Sequence, residues 1–306
     1  MATTTSITTT YAGQFAGKYI SAALLSGITL DKGGIEIKPN IKFKEVIKKL
    51  ATDSNVIKDA TCDFTDTGAL TLTERVIQPE EFQVNLELCK KDFRSDWEAV
   101  EMGYSAFDNL PPKFSDYLIG HVSGLVAEKT ENNIWKGVNG NAGEFDGLST
   151  LAAADATVID VAAATVTAAN VVAQLGAIVD AIPATLYGKE DLHIYISQNI
   201  ARAYVRALGG FAATNSGVDA KSHMWYGDGA LTFDGVKLFV ANGLSDNRAM
   251  AAQKSNLFFG TGLLSDSNEV KVIDMADLDG SQNVRVVMRF TAGVQYGIGS
   301  EIVLYS

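Results

Sequence analysis

The chain has 306 residues, 47% hydrophobic and 20% charged, which excludes global disorder and leaves enough apolar side chain for a sizeable core. Its 36 acids outweigh 25 bases, for a net charge of −11, so the surface as a whole repels phosphate and a general nucleic-acid binder is excluded. Cys62 and Cys89 form no CxxC pair and no zinc spacing, and two thiols make no disulfide framework, so a reducing cytoplasm is the expected setting.

Residues 1–34 are rich in Thr, Ser, Ala and Gly and read as a small-residue arm closed by Gly33-Gly34. Met1 to Thr10 carries no basic residue before an apolar run and does not resemble a signal peptide. Lys38, Lys42, Lys44, Lys48 and Lys49 face only Glu45 across residues 38–49, a local balance of +4. Within that patch Ile41, Phe43, Val46, Ile47 and Leu50 recur every three to four residues, which predicts a short basic amphipathic helix over 41–55. Such a face is either solvated or docks onto an acidic neighbour.

Beyond it the period changes. Phe82, Val84, Leu86 and Leu88 alternate with Gln83, Asn85, Glu87 and Cys89, a strand with one wet face. Upstream, Val56–Phe64 and Ala69–Gln78 flank the turn Asp66-Thr67-Gly68, so residues 56–92 read as an extended β-ribbon. A two-stranded ribbon is marginal in water and needs a covering surface.

Pro111-Pro112 open a helix predicted over Lys113–Lys136, with Phe114, Tyr117, Leu118, His121, Leu125 and Val126 at helical spacing and Gly137 as its stop. A Gly-rich loop over 137–147 marks a boundary. Val161–Val179 is long and uncharged, but its Thr, Asn and Gln residues make it a soluble helix rather than a membrane span. Val171, Leu175, Ile178, Val179 and Ile182 mark its helical core, which Pro183 ends. Leu192–Ser197 reads as a buried strand, Asn199–Leu208 as a helix, and Phe233-Asp234-Gly235-Val236 as a hairpin turn. Val270–Ile273, Val284–Phe290 and Gln295–Leu304 close the chain as strands.

Chemistry-bearing patterns are missing. The sequence contains no phosphate-cradling GxxxxGK[ST], no dinucleotide GxGxxG after a strand, no GxSxG and no HExxH. His121, His193 and His223 are far apart, and Trp97, Trp135 and Trp225 read as core anchors. Asp274, Asp277, Asp279 and Gly280 mimic a calcium loop, but the register puts Met275 and Val286 at ligand positions. Glu80-Glu81 and Glu98/Glu101 read as solvated carboxylates. No cofactor, metal or catalytic residue is expected.

The order of segments resembles the major capsid proteins of tailed bacteriophages, the Hong Kong 97-type fold, over roughly residues 35–306. Trp135-Lys136-Gly137 with Phe145-Asp146-Gly147-Leu148 looks like that family's turn into its axial domain. Leu192–Ser197, Phe233–Val236, Asn256–Thr261 and Arg289–Val294 resemble its later strands and turns. The resemblance implies an α+β chain divided into an N-terminal arm (1–40), the basic helix (41–55), the ribbon loop (56–92), a peripheral domain with a spine helix (93–147), an axial α/β domain (148–275) and C-terminal strands returning to the peripheral domain (276–306).

It also implies a structural role in the virion: self-assembly in the host cytoplasm into hexamers and pentamers of an icosahedral shell around double-stranded DNA, touched non-specifically and without a membrane. Scaffold, portal and decoration proteins would be separate partners. The expected subunit contacts are Lys42, Lys44, Lys48, Lys49, Gly68, Leu70, Leu72, Phe82 and Val84. Some relatives join a ribbon lysine to a neighbour's asparagine; residues 66–78 hold no lysine, so no such bond is expected. A nanocompartment shell of the same fold, a tail-tube subunit and a small-molecule enzyme are the alternatives.

Overall fold

A computed structural model describes residues 27–52, 57, 59, 62, 70–89, 112–208, 231–262 and 270–306. Two sheets and one long helix organise them.

The six-stranded sheet runs in the order β5 (Ile159–Val161), β13 (Val303–Tyr305), β9 (Ala249–Gln253), β6 (Leu192–Ile196), β8 (Val236–Val240) and β7 (Thr232–Phe233). Its central strands β6 and β9 are covered on both faces, which explains their continuous apolar sequences. On one face Ile194, Ile196, Ala249, Ala251, Val303 and Tyr305 meet helices α4 (Val171–Asp180) and α5 (Gln198–Ala207). On the other, Tyr195, Met250, Ala252 and Leu304 meet Ile134 and Trp135, which end helix α2 (Pro112–Lys136), and helix α3 (Leu148–Ala154). The expected hairpin turn is present: Asp234 and Gly235 both take positive φ (45° and 80°), as a two-residue turn between twisted strands requires. Of the stretch Val161–Val179, only the part from Val171 is helical.

The five-stranded sheet is built on β12 (Asn283–Tyr296), which pairs along ten residues with β4 (Glu80–Cys89), with β11 (Val270–Asp274) over its first half and with β10 (Leu257–Gly260) at its end. Strand β1 (Glu36–Lys38) adds to β10 in parallel. Two strands were expected where β12 runs unbroken. It runs on because β4 pairs it as far as Ala292 and β10 pairs it from Gly293, where a Cβ would lie 3.0 Å from the Gln78 carbonyl and from Pro79 Cα. Helix α2 lies on this sheet, with Ile119, Val122 and Val126 against Val270, Val272, Val284, Val286 and Met288.

The helix expected over Lys113–Lys136 is present, but its inward face differs from the sequence reading: Leu125 is exposed and Ile119 and Val122 are buried. Apolar residues occur nearly all round this helix, so spacing alone does not choose the face. The side chains of Phe114, Tyr117 and Leu118 lie outside the described residues, as do Trp97, Trp225, His223, Glu98 and Glu101.

Two expectations near the N-terminus are corrected. The helix expected over 41–55 is not present in its described part, 41–52: Glu45–Thr52 forms strand β2, antiparallel to β3 (Leu70–Ile77). Its apolar residues fall on both sides of a two-residue alternation and so give no clean strand signal, but β-branched Val46 and Ile47 favour the strand once β3 is available to pair. The ribbon is therefore β2–β3, and β4, expected as part of it, belongs to the five-stranded sheet. Most of 53–69, including the expected strand Val56–Phe64 and the turn at Gly68, lies outside the described residues.

The arm, expected over 1–40, also ends earlier. Residues 1–26 lie outside the described residues, but Thr29 is buried, and Leu30 and Ile35 are buried in the core that also holds Trp135 and Tyr195. The buried carboxylate of Glu131 accepts the Thr29 N–H (3.1 Å) and hydroxyl (2.5 Å), and Trp135 Nε1 donates to Thr29 Oγ1 at 2.8 Å. This network fixes the short helix α1 (Ile28–Asp31) to α2.

A candidate assembly surface

The register of β2–β3 decides what each face of the ribbon carries. Side chains alternate, so Glu45/Ile77, Ile47/Arg75 and Lys49/Thr73 share one face. Val46/Val76 and Lys48/Glu74 share the other, and Leu72 and Leu70 extend it opposite Leu50 and Thr52. The first face is turned to the body. Ile77 is 1% exposed, and with Ile41 it covers Gly260, where a Cβ would sit 2.7 Å from Ile77 Cδ1.

The second face is apolar and open. Leu70 is 67% exposed, Leu72 57%, Val76 43% and Val46 41%. The oppositely charged Lys48 and Glu74 stand across from each other in the middle of this stripe. The body side keeps Ile77 buried and Ile47 and Arg75 half-buried, while the leucines and valines of the other side stand in water. Exposed apolar surface of this kind makes the face a candidate interaction site.

At its base the ribbon is tethered. The Arg75 guanidinium forms an ion pair with Asp155 and lies 4.4 Å from the Tyr296 ring centroid. The Tyr296 hydroxyl donates to Asp155 Oδ2 at 2.9 Å and to the Leu151 carbonyl at 3.2 Å. The Asp155 carboxylate also accepts the Thr157 N–H at 2.9 Å. Hydrogen bonding, first from Arg75 and then from Thr157 and Tyr296, holds the Asp155 carboxyl well below the usual range. Burial, assisted by that carboxylate, pushes the Tyr296 phenol up to about 12. A depressed carboxyl contributes stability at pH values above the ordinary carboxylate range, near ~4, and loses it only as pH falls through the lower folded value. The tether therefore persists through mild acid.

The expected contact residues divide accordingly. Leu70, Leu72 and Lys48 share the open face, and Lys42 and Lys44 are exposed beside Phe43, itself 69% exposed. Lys49 is half-buried on the body side, and Gly68 lies outside the described residues. Phe82 and Val84 differ: each has partners within the molecule. The Phe82 ring lies 6.0 Å from Phe145 and 5.6 Å from Phe290, and Val84 packs against the cluster under α2. Val46 and Val76 are exposed on the open face too and are not among the expected contacts, because the face of a strand shows only once its partner and register are known.

The turn that joins α2 to α3 is tightly built. Gly147 N–H donates to the Gly137 carbonyl at 2.9 Å, and a Cβ on Gly147 would come within 2.6 Å of the Asn133 carbonyl. Glu144 accepts from the Val138 N–H (3.2 Å) and Asn141 (3.0 Å) and pairs with Lys129; Lys129 first, then Asn141, hold its carboxyl near about 2.

A cavity of about 440 Å³ lies between α1, α2 and the start of α5, lined by Glu128, Glu131, Asn132, Gln198 and Asn242 among others. Its polar lining is carboxylate and carboxamide, and the Glu131 carboxylate there already accepts from Thr29.

The sequence matches no family model and no curated protein. Solved structures do match. A structure from Gordonia phage Cozz superposes with a TM-score of 0.57 at 12% identity, covering 93% of this chain and 86% of that one. The capsid structure of the cyanophage P-SCSP1u gives 0.54 at 10%, covering 89% and 85%. This chain has the fold of phage capsid subunits. A virus-like particle from Pyrococcus furiosus shares the capsid fold too, at a TM-score of 0.53 and 9% identity, covering 94% of this chain and 96% of that one.

Proposed function

We propose that the protein is the major capsid subunit of a tailed phage, located in the virion, whose copies form hexamers and pentamers of a closed shell around double-stranded DNA. The observation that carries this reading is the open apolar face of the β2–β3 ribbon, which no described part of the chain covers and which a second copy would bury. The capsid fold gives that face a context in which many identical neighbours supply the cover. In this reading α2 with the five-stranded sheet is the peripheral unit, and the six-stranded sheet with α4 and α5 is the axial unit. The net charge of −11 would keep packaged DNA from adhering to the wall, while Lys42, Lys44 and Lys48 meet acidic patches of neighbouring subunits.

A nanocompartment shell of the same fold is the second reading; the Pyrococcus furiosus virus-like particle shares the fold no more closely than the phage structures do. Electron microscopy of purified particles from an infected culture, after nuclease treatment, separates the two. Closed shells with protected double-stranded DNA are expected. Shells filled with a folded protein would favour the nanocompartment, and open tubes would refute both.

A further inference from the structure

The ribbon's attachment to the body has a sharp outer limit. Ile77 is buried and the Gln295 side chain donates to the Val76 carbonyl at 3.3 Å, but residues 70–74 are all exposed. Arg75 stands at that limit. Its three partners come from three places: Asp155 follows α3, Tyr296 ends β12, and the Ile47 position lies across the ribbon in register. Gly299 leaves room for the pair, since a Cβ there would lie 2.8 Å from Asp155 Oδ2. A guanidinium that stacks on a ring and pairs with a carboxylate fixes direction as well as distance, because its geometry is planar and forked.

We propose that Arg75 is a positioning residue that locks the inclination of the β2–β3 ribbon against the body, so that a second copy meets an apolar face already aimed. This rests on the ribbon being a subunit contact. Without the lock the ribbon pivots on Ile77, and each association event must first order it. Preorganisation of this kind raises affinity without adding a contact. A free two-stranded ribbon also opens readily, so its loosening is measurable in its own backbone.

The test is hydrogen exchange by mass spectrometry on full-length protein held below the concentration at which particles form. Arg75→Gln and Asp155→Asn are each expected to speed exchange in 45–52 and 70–77 about tenfold, leaving 192–196 and 249–253 unchanged. The double variant should be no faster than either single one. Arg75→Lys, which keeps the charge but not the planar stack on Tyr296, should fall between. Unchanged ribbon exchange, or acceleration spread over both sheets, would overturn the proposal. So would a loosened ribbon whose subunits still assemble at the wild-type rate into particles of wild-type size. Should wild-type protein form no particles at any concentration, the shell reading fails while the exchange comparison still decides whether Arg75 holds the ribbon.

Discussion

Replacing Leu70 and Leu72 together by serine is expected to abolish particle formation and leave the subunit folded. Both leucines are largely exposed in the single chain, so their removal takes nothing from its core. Burying two such side chains against a neighbour contributes about 3 kcal/mol, and serine in their place leaves hydroxyls to desolvate. That is more than a hundredfold in each pairwise association, and every subunit of a closed shell both presents a ribbon and receives one. Sedimentation should show only slow species, with a circular-dichroism spectrum and melting midpoint like those of unassembled wild type. A fall in the melting midpoint would mean that the leucines serve the chain's own core. Normal particles would mean that the open face is not the contact.

Gly243→Ala is expected to have the opposite signature, a damaged fold. A Cβ at Gly243 would penetrate the carbonyl oxygen of Glu131, stand 2.7 Å from its carbon and meet Trp135 Cδ1 at 2.8 Å. Both residues belong to the C-terminal turns of α2, where Trp135 is fully buried and Glu131 anchors Thr29. Backbone cannot yield there without dragging α2 off the six-stranded sheet. The cost is about 3–5 kcal/mol, enough to lower the melting midpoint by roughly 10 °C or to send the protein to inclusion bodies. Gly176→Ala is the control: nothing lies within 4 Å of its Cβ position in α4, so the midpoint should hold or rise slightly. Equal midpoints for Gly243→Ala and wild type would show that α2 and the 241–244 turn are not in the close contact described.

How much of this could be read from sequence follows from how local each signal is. The strand at Leu192–Ile196, the helix from Val171, the turn at Asp234-Gly235 and the stop at Gly137 each carry their cause within a few residues, and all are present. The core role of Trp135 was legible because a large aromatic at a helix end beside Gly137 has few other uses. Glu45–Thr52 was not legible, since its apolar residues do not alternate and its partner lies some twenty to thirty residues away. Nor was the union of 283–296 into one strand, which shows only once its partners β4, β10 and β11 are in place. Of the residues expected as contacts, Leu70, Leu72 and Lys48 lie on the open face of the ribbon. Phe82 and Val84 were assigned to the same surface because an apolar strand face reads alike whether its cover is another subunit or, as here, Phe145, Phe290 and α2.

The central claim is that the open face of β2–β3 is completed by other copies of the same chain. Sedimentation velocity of the purified wild-type protein over a concentration series tests it most directly. A threshold concentration is expected, above which a single fast boundary of closed particles grows at the expense of the free subunit. A chain that sediments as one copy at every concentration, up to the limit of its solubility, would contradict the claim.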